Sequence, residues 1–251
     1  MASRQRTVFL FRSLFCHNLA QRDPEPTCKA KVDVGFVLDS SGSLKNDYDN
    51  EKHFLKALAA TFGVSDDGAR AGVVTFSYYT EHSIKLNDHT KLSTFNDAVD
   101  KIALMGSTTR IDKALRMVQS EMFSIPNGGR PGVNKVLILL TDGTQTQDND
   151  AEDPAVVAKE LRDRGIRVIS IGIGKGVNPT ELAGISGDQS NVFSADSFDQ
   201  LVSSDFLGKV NEAGCKEGMF LIDIATEQLL GVLRKISNLP ASFNKSSLTQ
   251  Q

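Results

Sequence analysis

The sequence of 251 residues has no tryptophan, only three cysteines and no apolar run approaching the roughly 20 residues needed to span a bilayer. Three cysteines are too few for a disulfide-dense scaffold, and the lack of a Cys-x-x-Cys pair argues against a zinc site. Basic residues are not in excess, since 28 Lys and Arg stand against 31 Asp and Glu, for a net charge of −3. These absences argue against a membrane-spanning protein and against a nucleic-acid-binding protein.

What the chain does contain is a globular composition, with 40% hydrophobic and 24% charged residues. Between residues 31 and 209, short β-rich runs alternate with longer amphipathic runs. The pattern predicts strands at 32–38, 71–76, 135–140, 167–173 and 191–193, with an edge strand at 79–86. It predicts helices at 51–62, 92–102, 111–122, 151–164, 179–185 and 198–212. This alternation predicts an α/β fold of the Rossmann-like type, in which helices cover both faces of an open, mostly parallel sheet.

The two ends of the chain fall outside this alternating region. Residues 1–27 form a leader that resembles a weak signal peptide, because Arg12 interrupts its apolar stretch; a disordered leader is the alternative. Residues 28–215 hold the predicted domain, and residues 216–251 form a tail. The tail carries an amphipathic helical pattern at 219–236, which would pack on the domain, pair with another chain or begin a further module.

Oxygen-bearing side chains follow the predicted strands at the points where ligands bind in open parallel sheets. Asp39, Ser41 and Ser43 follow the first strand, and Asp142 follows the run 135–140, which is the most hydrophobic and is expected at the sheet centre. Thr109 precedes a predicted helix. Carboxylates and hydroxyls are the ligands that a hard divalent cation such as magnesium accepts.

Each of these pieces alone also fits an ordinary structural role. Asp39 followed by serines and a glycine is typical of a helix cap or turn, and Asp142-Gly143 is typical of a turn. The segment before Ile111 fits a simple helix N-cap. The combination is more specific, because three separate elements supply complementary ligands at one predicted crevice.

The motif Asp39-x-Ser41-x-Ser43, with Thr109 and Asp142, resembles the metal-ion-dependent adhesion site of von Willebrand factor type A domains. The resemblance runs from Val32 to Lys209 and is strongest to the extracellular branch found in matrilins, type VI collagens and integrin inserted domains. It implies that Ser41, Ser43 and Thr109 contact the metal directly, while Asp39 and Asp142 act largely through water. The implied cation is magnesium, with manganese or calcium as alternatives.

The resemblance also bears on three further features of the chain. Thr108 is the alternative to Thr109, which is preferred because its distance to the following helix matches the family spacing. Cysteines flanking the domain recur in the extracellular branch, which implies a disulfide between Cys28 and Cys215; two unrelated thiols remain the alternative. Asn244 begins a glycosylation sequon, which matters only if the chain is secreted.

The resulting hypothesis is a secreted, non-enzymatic module for adhesion or the extracellular matrix. Its metal would bridge to an Asp or Glu of a matrix or cell-surface protein, because the direct ligands leave a coordination position open. No general base, nucleophile or phosphate-binding loop accompanies the site, which argues against an enzyme. Two alternatives are an assembly protein that self-associates through its tail and an intracellular subunit of a multiprotein complex.

A second acidic segment lies close to the predicted crevice. Asp148, Asp150, Glu152 and Asp153 form either a second cation site or a solvated loop, of which the solvated loop is preferred. Arg110 would orient acidic groups of the site, touch a ligand, cap the helix or lie on the surface.

Overall fold

Six strands form one sheet in the order β3-β2-β1-β4-β5-β6 in the computed structural model, which describes residues 31–216. The strands are β1 (Val32–Asp39), β2 (Arg70–Phe76), β3 (Thr80–Ile84), β4 (Asn134–Thr141), β5 (Ile166–Ile173) and β6 (Val192–Ala195). All neighbours pair in parallel except β2 and β3, which are antiparallel. The predicted fold class is confirmed, with the most hydrophobic strand, β4, at the centre of the sheet.

Helices cover both faces of this sheet. They are α1 (Tyr48–Phe62), α2 (Leu92–Asp100), α3 (Ile111–Met117), α4 (Pro154–Asp163), α5 (Pro179–Ser186), α6 (Phe198–Leu201) and α7 (Ser204–Cys215). One core layer packs α1, α2, α6 and α7 against the sheet, and a second layer packs α3, α4 and α5 against the other face. The interior strands β1 and β4 are nearly continuous apolar runs because both of their faces are buried.

The winding of the chain reverses between β1 and β4. From β1 the chain proceeds outward to β2 and β3, and it then returns to β4 and proceeds outward on the other side to β5 and β6. The carboxyl ends of β1 and β4 therefore lie side by side with their following loops diverging, which opens a crevice for a ligand.

The predicted closing helix at 198–212 is wrong as a single element. The chain forms two helices, because Ser203 interrupts the run and its hydroxyl accepts a hydrogen bond from the Phe206 backbone N–H at 3.3 Å. A serine in this role starts a new helix rather than continuing the old one. Likewise, the helix predicted from residue 151 begins at Pro154, because the Asp153 side chain caps it and proline suits the first helical position.

The carboxyl end of α7 is held at the base of the sheet, opposite the crevice. Arg167, at the start of β5, donates hydrogen bonds to the carbonyl oxygens of Ala213 at 3.1 Å and Lys216 at 2.9 Å. Cys215 is disulfide-bonded, and its partner lies outside the described residues. Pairing with Cys28 stays a prediction, which peptide mapping of the non-reduced protein would test.

The predictions made for residues 1–27, for the helix at 219–236 and for Asn244 also lie outside the described residues. Between residues 31 and 216, no helix combines the length and the apolar composition needed to cross a membrane.

Candidate metal centre

Asp39 is the buried anchor at the junction of β1 and β4. Its side chain is fully buried, and one carboxylate oxygen accepts a hydrogen bond from the Ser41 backbone N–H at 2.9 Å. The other oxygen accepts a hydrogen bond from the Thr141 hydroxyl, at the end of β4, at 2.6 Å. Because the two contacts come from two neighbouring strands, the carboxylate is fixed at the reversal point of the sheet.

A short chain of oxygen atoms joins the ends of these two strands. The Ser41 and Ser43 hydroxyl oxygens lie 3.0 Å apart, and the Ser43 hydroxyl donates a hydrogen bond to Asp142 Oδ1 at 2.9 Å. Ser41 is buried, Asp142 is half-buried and Ser43 is exposed to solvent. Four of the five predicted site residues are thus brought together, and the assembled set is open on one side.

The loop that carries Thr109 is docked on the backbone after β1. The Met105 N–H donates to the Ser40 hydroxyl at 2.7 Å, and the Gly106 N–H donates to the Ser40 carbonyl at 2.9 Å. The Gly42 N–H in turn donates to the Ser107 carbonyl at 2.9 Å. Ser107 adopts a φ of 80°, in the left-handed region that few residues other than glycine occupy, so the loop makes a sharp turn here.

Thr109 itself lies against the turn that follows β4. Its backbone N–H donates to the Thr146 hydroxyl at 3.1 Å, and its carbonyl accepts from the Thr146 N–H at 2.8 Å. Its hydroxyl oxygen is 3.6 Å from where a β-carbon on Gly143 would stand. Thr109 is 9% exposed whereas Thr108 is exposed, so the geometry favours Thr109 as the residue that lies against Gly143, the neighbour of Asp142.

The donor set of this site consists entirely of oxygen atoms, two carboxylates and three hydroxyls. Such donors fit a hard cation such as Mg²⁺ or Mn²⁺ and are poorly suited to a soft metal. Within residues 31–216, no group of three or more His, Cys, Asp or Glu side chains could by itself hold a metal ion. Any cation here would therefore depend on the hydroxyls as much as on the carboxylates.

Burial raises the pKa of Asp39 to about 6, against an ordinary value of 3.8. The negative charge of Asp142 adds to this increase, while the hydrogen bonds from Thr141 and Ser41 oppose it. In the absence of a cation, the nearby charge of Asp142 therefore makes the buried Asp39 carboxyl harder to ionise.

A third carboxyl group near the site was missed by the sequence analysis. Glu51, on α1, is fully buried, and neither of its carboxyl oxygens has a hydrogen-bond partner within the described part of the chain. A signal for it was present, because Phe54, Leu55 and Leu58 define the buried face of the helix and Glu51 lies three, four and seven residues before them.

Arg110 holds the acidic loop after β4 against the start of α3. Its fully buried guanidinium donates to both carboxylate oxygens of Asp112, at 2.9 Å and 2.7 Å. It also donates to Asp150 at 2.7 Å and to Asp148 at 3.2 Å. Burial opposes ionisation of Asp112, but the hydrogen bonds, with that from Arg110 the largest, lower its pKa to about 2.

The acidic loop is therefore paired with arginine side chains. Arg116 donates to Glu152 at 2.9 Å, which places the second arginine of α3 on the same loop. Asp153 caps α4 instead. Each of the four acidic residues thus has a partner within the described part of the chain, and the loop needs no second cation to hold it in place. The same contacts place Arg110 in the interior, so its predicted surface position is wrong.

Gln145, in the loop after β4, makes two hydrogen bonds to Asp112 at the start of α3. Its side-chain amide donates to Asp112 at 2.7 Å, and its amide oxygen accepts from the Asp112 N–H at 3.1 Å. Together with the contacts between Thr109 and Thr146, these bonds tie the loop after β4 to the segment that carries Thr109. Thr109 is thereby held against the loop that begins at Asp142.

A groove of about 590 Å³ begins at Ser43 and Asp142 and extends toward the ends of β5 and β6. Its remaining lining residues are Asp47, Asn50, Ile173, Gly174, Lys175, Gly176, Asp196, Ser197, Phe198 and Asp199. The open side of the metal centre thus continues into a surface large enough for several side chains of a partner.

Comparison with known proteins places this site in context. The family model described as the von Willebrand factor type A domain matches residues 33–206. The human collagen alpha-6(VI) chain is 38% identical over 179 residues, which are 70% of this chain and 8% of the collagen chain. Chicken matrilin-1 is 32% identical over 147 residues, which are 58% of this chain and 29% of the matrilin. The chain therefore spans a small part of these relatives.

Among solved structures, proximal thread matrix protein 1 from the mussel byssus matches with a TM-score of 0.69 and 31% identity. The match covers 75% of this chain and 48% of the mussel chain. A second structure of the mussel protein, described as having a zinc-occupied MIDAS motif, matches with a TM-score of 0.66 and 31% identity. A protein with this fold and this level of similarity thus holds a divalent metal at that motif.

Proposed function

Because this chain belongs to the von Willebrand factor type A domain family, we propose that it is a protein-binding module whose divalent cation bridges to an acidic side chain of a partner. Asp39, Ser41, Ser43, Thr109 and Asp142 are the residues that would hold the cation. Magnesium is the proposed ion, with manganese or calcium as alternatives, and the cation supplies a Lewis-acidic point of attachment for a carboxylate.

The observation that carries this proposal is the chain of oxygens from Ser41 through Ser43 to Asp142, open to solvent at Ser43. If the hydroxyls are the direct ligands and the carboxylates act through water, every direct protein ligand is neutral. A cation so held keeps much of its charge at its open face, and an incoming carboxylate would be attracted to it. The neighbouring groove would then select which carboxylate-bearing partner fits.

We further propose that the module acts outside the cell and has no catalysis of its own. Its relatives include proteins named as a collagen chain, a matrilin and a thread matrix protein, and none of these names denotes an enzyme. The disulfide of Cys215 also favours an oxidising compartment.

The proposal is tested by probing an array of matrix-protein peptides with the full chain, in the presence of Mg²⁺ and in the presence of a chelator. Each acidic peptide is paired with a copy in which Asp and Glu are replaced by Asn and Gln. We expect binding that needs both the cation and the carboxylate. Binding that survives the chelator, or that is equal for the amide copies, would show that no metal bridge is formed.

Cation affinity is expected to fall at acidic pH. Protonation of the Asp39 carboxylate removes the negative charge that attracts the cation, so proton and cation binding oppose each other. Because the pKa of Asp39 is raised to about 6, this carboxylate is protonated below that pH in the absence of a cation. Affinity should be constant above pH 7 and fall by up to about tenfold per pH unit below 6. Calorimetric titration of Mn²⁺ at pH 7.5, 6.5 and 5.5 measures this, with circular dichroism to verify the fold at each pH. A constant affinity across the range would contradict the assignment of Asp39.

A further inference from the structure

Two exposed tyrosines form the tip of the hairpin between β2 and β3. Tyr78 is 37% exposed and Tyr79 is 73% exposed, and their rings meet edge to face with centroids 5.0 Å apart. The tip, residues 77–79, contains none of the glycine, asparagine or aspartate residues that tight hairpin turns favour, so turn geometry does not account for the aromatic residues. Single exposed apolar residues are common, but two large rings in contact form a continuous apolar surface of the kind that binding sites use.

The hairpin tip lies at the same edge of the sheet as the metal centre. The register of β1 with β2 pairs Phe76, the last residue of β2, with Asp39. Ser77 follows and is buried, and its carbonyl accepts a hydrogen bond from the Arg110 N–H at 3.0 Å. Since Arg110 follows Thr109, the tyrosine pair flanks the metal centre on the Thr109 side. The groove described above leaves the site on the other side, toward β5 and β6.

The tyrosine pair is held by the hairpin on one side and by α3 on the other. The Ser77 N–H donates to the Tyr79 carbonyl at 2.8 Å, which closes the turn. The Lys113 ammonium group, on α3, lies 4.3 Å from the centroid of the Tyr78 ring, which is a cation–π contact. A pair held in this way loses little conformational entropy on binding, which is one reason why tyrosines dominate many protein interfaces.

Lys113 also indicates which chemistry the tyrosine pair can still accept. Its ammonium group already provides a cation to the Tyr78 ring and forms an ion pair with Asp150 at 3.3 Å. A basic side chain of a partner would therefore approach a place that a like charge occupies. The carboxylate of the partner is assigned to the cation in the proposed function, so the side chain that best fits the exposed Tyr79 ring is uncharged and apolar.

We propose that Tyr78 and Tyr79 form a second contact site of the module, which binds an apolar side chain, such as leucine or proline, of the same partner segment whose carboxylate meets the cation. This inference rests on the proposed function, since it adds a recognition element beside that site. The pair selects among acidic segments by their apolar neighbours, whereas the cation site recognises only the carboxylate. Tyr79, the more exposed of the two, makes the larger contribution.

Short synthetic peptides with one central glutamate test this proposal. Each flanking position carries leucine, proline, serine or lysine in turn, and binding to the full chain in Mg²⁺ is measured by fluorescence anisotropy. Tyr79→Ala is expected to weaken binding of the leucine- or proline-flanked peptides about tenfold and to leave binding of the serine-flanked peptides unchanged. Tyr79→Phe, which keeps the ring, is expected to bind as the unchanged chain does.

Ile125→Ala is the matched control, because Ile125 is also 73% exposed. It lies at the base of the sheet, since its turn ends at Gly128, whose carbonyl accepts from Arg70 at the start of β2 at 2.8 Å. Its replacement should alter neither peptide binding nor cation affinity. Calorimetric titration of Mn²⁺ into Tyr79→Ala should give the affinity of the unchanged chain, which separates recognition of the apolar side chain from binding of the cation.

Equal peptide affinities in Tyr79→Ala and in the unchanged chain would overturn this inference while leaving the proposed function intact. A preference for lysine-flanked peptides that Tyr79→Ala removes would also overturn it, because the occupant would then be basic. Dimers seen in sedimentation of the unchanged chain and lost in Tyr79→Ala would assign the pair to a second copy instead. If no peptide binds in a cation-dependent manner, the proposed function fails, and this inference fails with it.

Discussion

Asp39→Ala is expected to lower the affinity for Mg²⁺ and Mn²⁺ by at least ~100-fold, and Asp142→Ala by a similar factor. Asp39 joins the ends of both central strands to the serine motif, through Thr141 and the Ser41 backbone. Asp142 accepts the last hydrogen bond of the Ser41–Ser43 chain. The direct ligands are neutral hydroxyls, which by themselves hold a divalent cation weakly in water. Loss of one of the two carboxylates therefore removes much of the negative charge that holds the cation.

Calorimetric titration of each variant measures this loss, and Asp199→Ala is the matched control. Asp199 lines the same groove, and no hydrogen bond joins it to the ligand set within residues 31–216, so its removal should leave cation affinity unchanged within about twofold. Retention of cation binding in both Asp39→Ala and Asp142→Ala would refute the site assignment.

Asp39→Asn separates loss of binding from loss of fold. The carboxyl has a pKa of about 6 in the folded chain and an ordinary value of 3.8, so the folded state binds its proton more tightly than the unfolded chain does. The contribution of this group to stability is therefore greatest below pH 3.8 and is lost as the pH rises to about 6. At pH 7.5 in a chelator, the amide should raise the melting temperature while cation binding is abolished.

Arg110→Ala is expected to lower the free energy of unfolding by about 3–5 kcal/mol. The change leaves the carboxylate of Asp112 buried without its two charge-assisted hydrogen bonds, and it removes the contacts that Arg110 makes with Asp148 and Asp150. Since the pKa of Asp112 is about 2 in the folded chain, this carboxylate is charged at neutral pH and has no way to avoid the cost except protonation or local unfolding.

Urea denaturation measures the effect, and Arg116→Ala is the control. Arg116 lies on the same helix and contacts the same loop, but its ion pairs with Glu152 and Glu160 are half-exposed, so its loss should cost about 1 kcal/mol or less. The double variant Arg110→Met with Asp112→Leu should recover much of the stability, because it removes both charges. A cost for Arg110→Ala no greater than that for Arg116→Ala would contradict the buried-pair argument.

The strands could be predicted because their signals are local. An uninterrupted apolar run such as Lys135–Leu140 marks a strand buried on both faces, and polar residues at its end mark the edge where ligands bind. The proposed ligand positions follow from the motif that starts at Asp39 and from the family resemblance. Their mutual distances follow from the register of β1 with β4.

The parts that could not be predicted depend on contacts between residues far apart in sequence. The bonds of Arg110 to Asp148 and Asp150 cross about 40 positions, and no periodic pattern announces them. The break at Ser203 has a local cause instead, because the run also fits a continuous helix and the serine cap competes with that continuation. Glu51 is an intermediate case, because the helical period places it on the buried face but not beside Asp39.

The anchoring of α7 at Arg167 determines how the domain would respond to tension. The described region starts at the beginning of β1 and ends just after α7, and the parallel pairing places both points at the base of the sheet. The crevice that holds Asp39 and Asp142 lies at the opposite edge. A pull applied through these two points therefore loads the base directly, while a pull through a bound partner is transmitted along the two central strands. A partner bound as proposed would therefore be attached at the opposite end of the domain from Val32 and Lys216, and load between them would run along the paired strands β1 and β4.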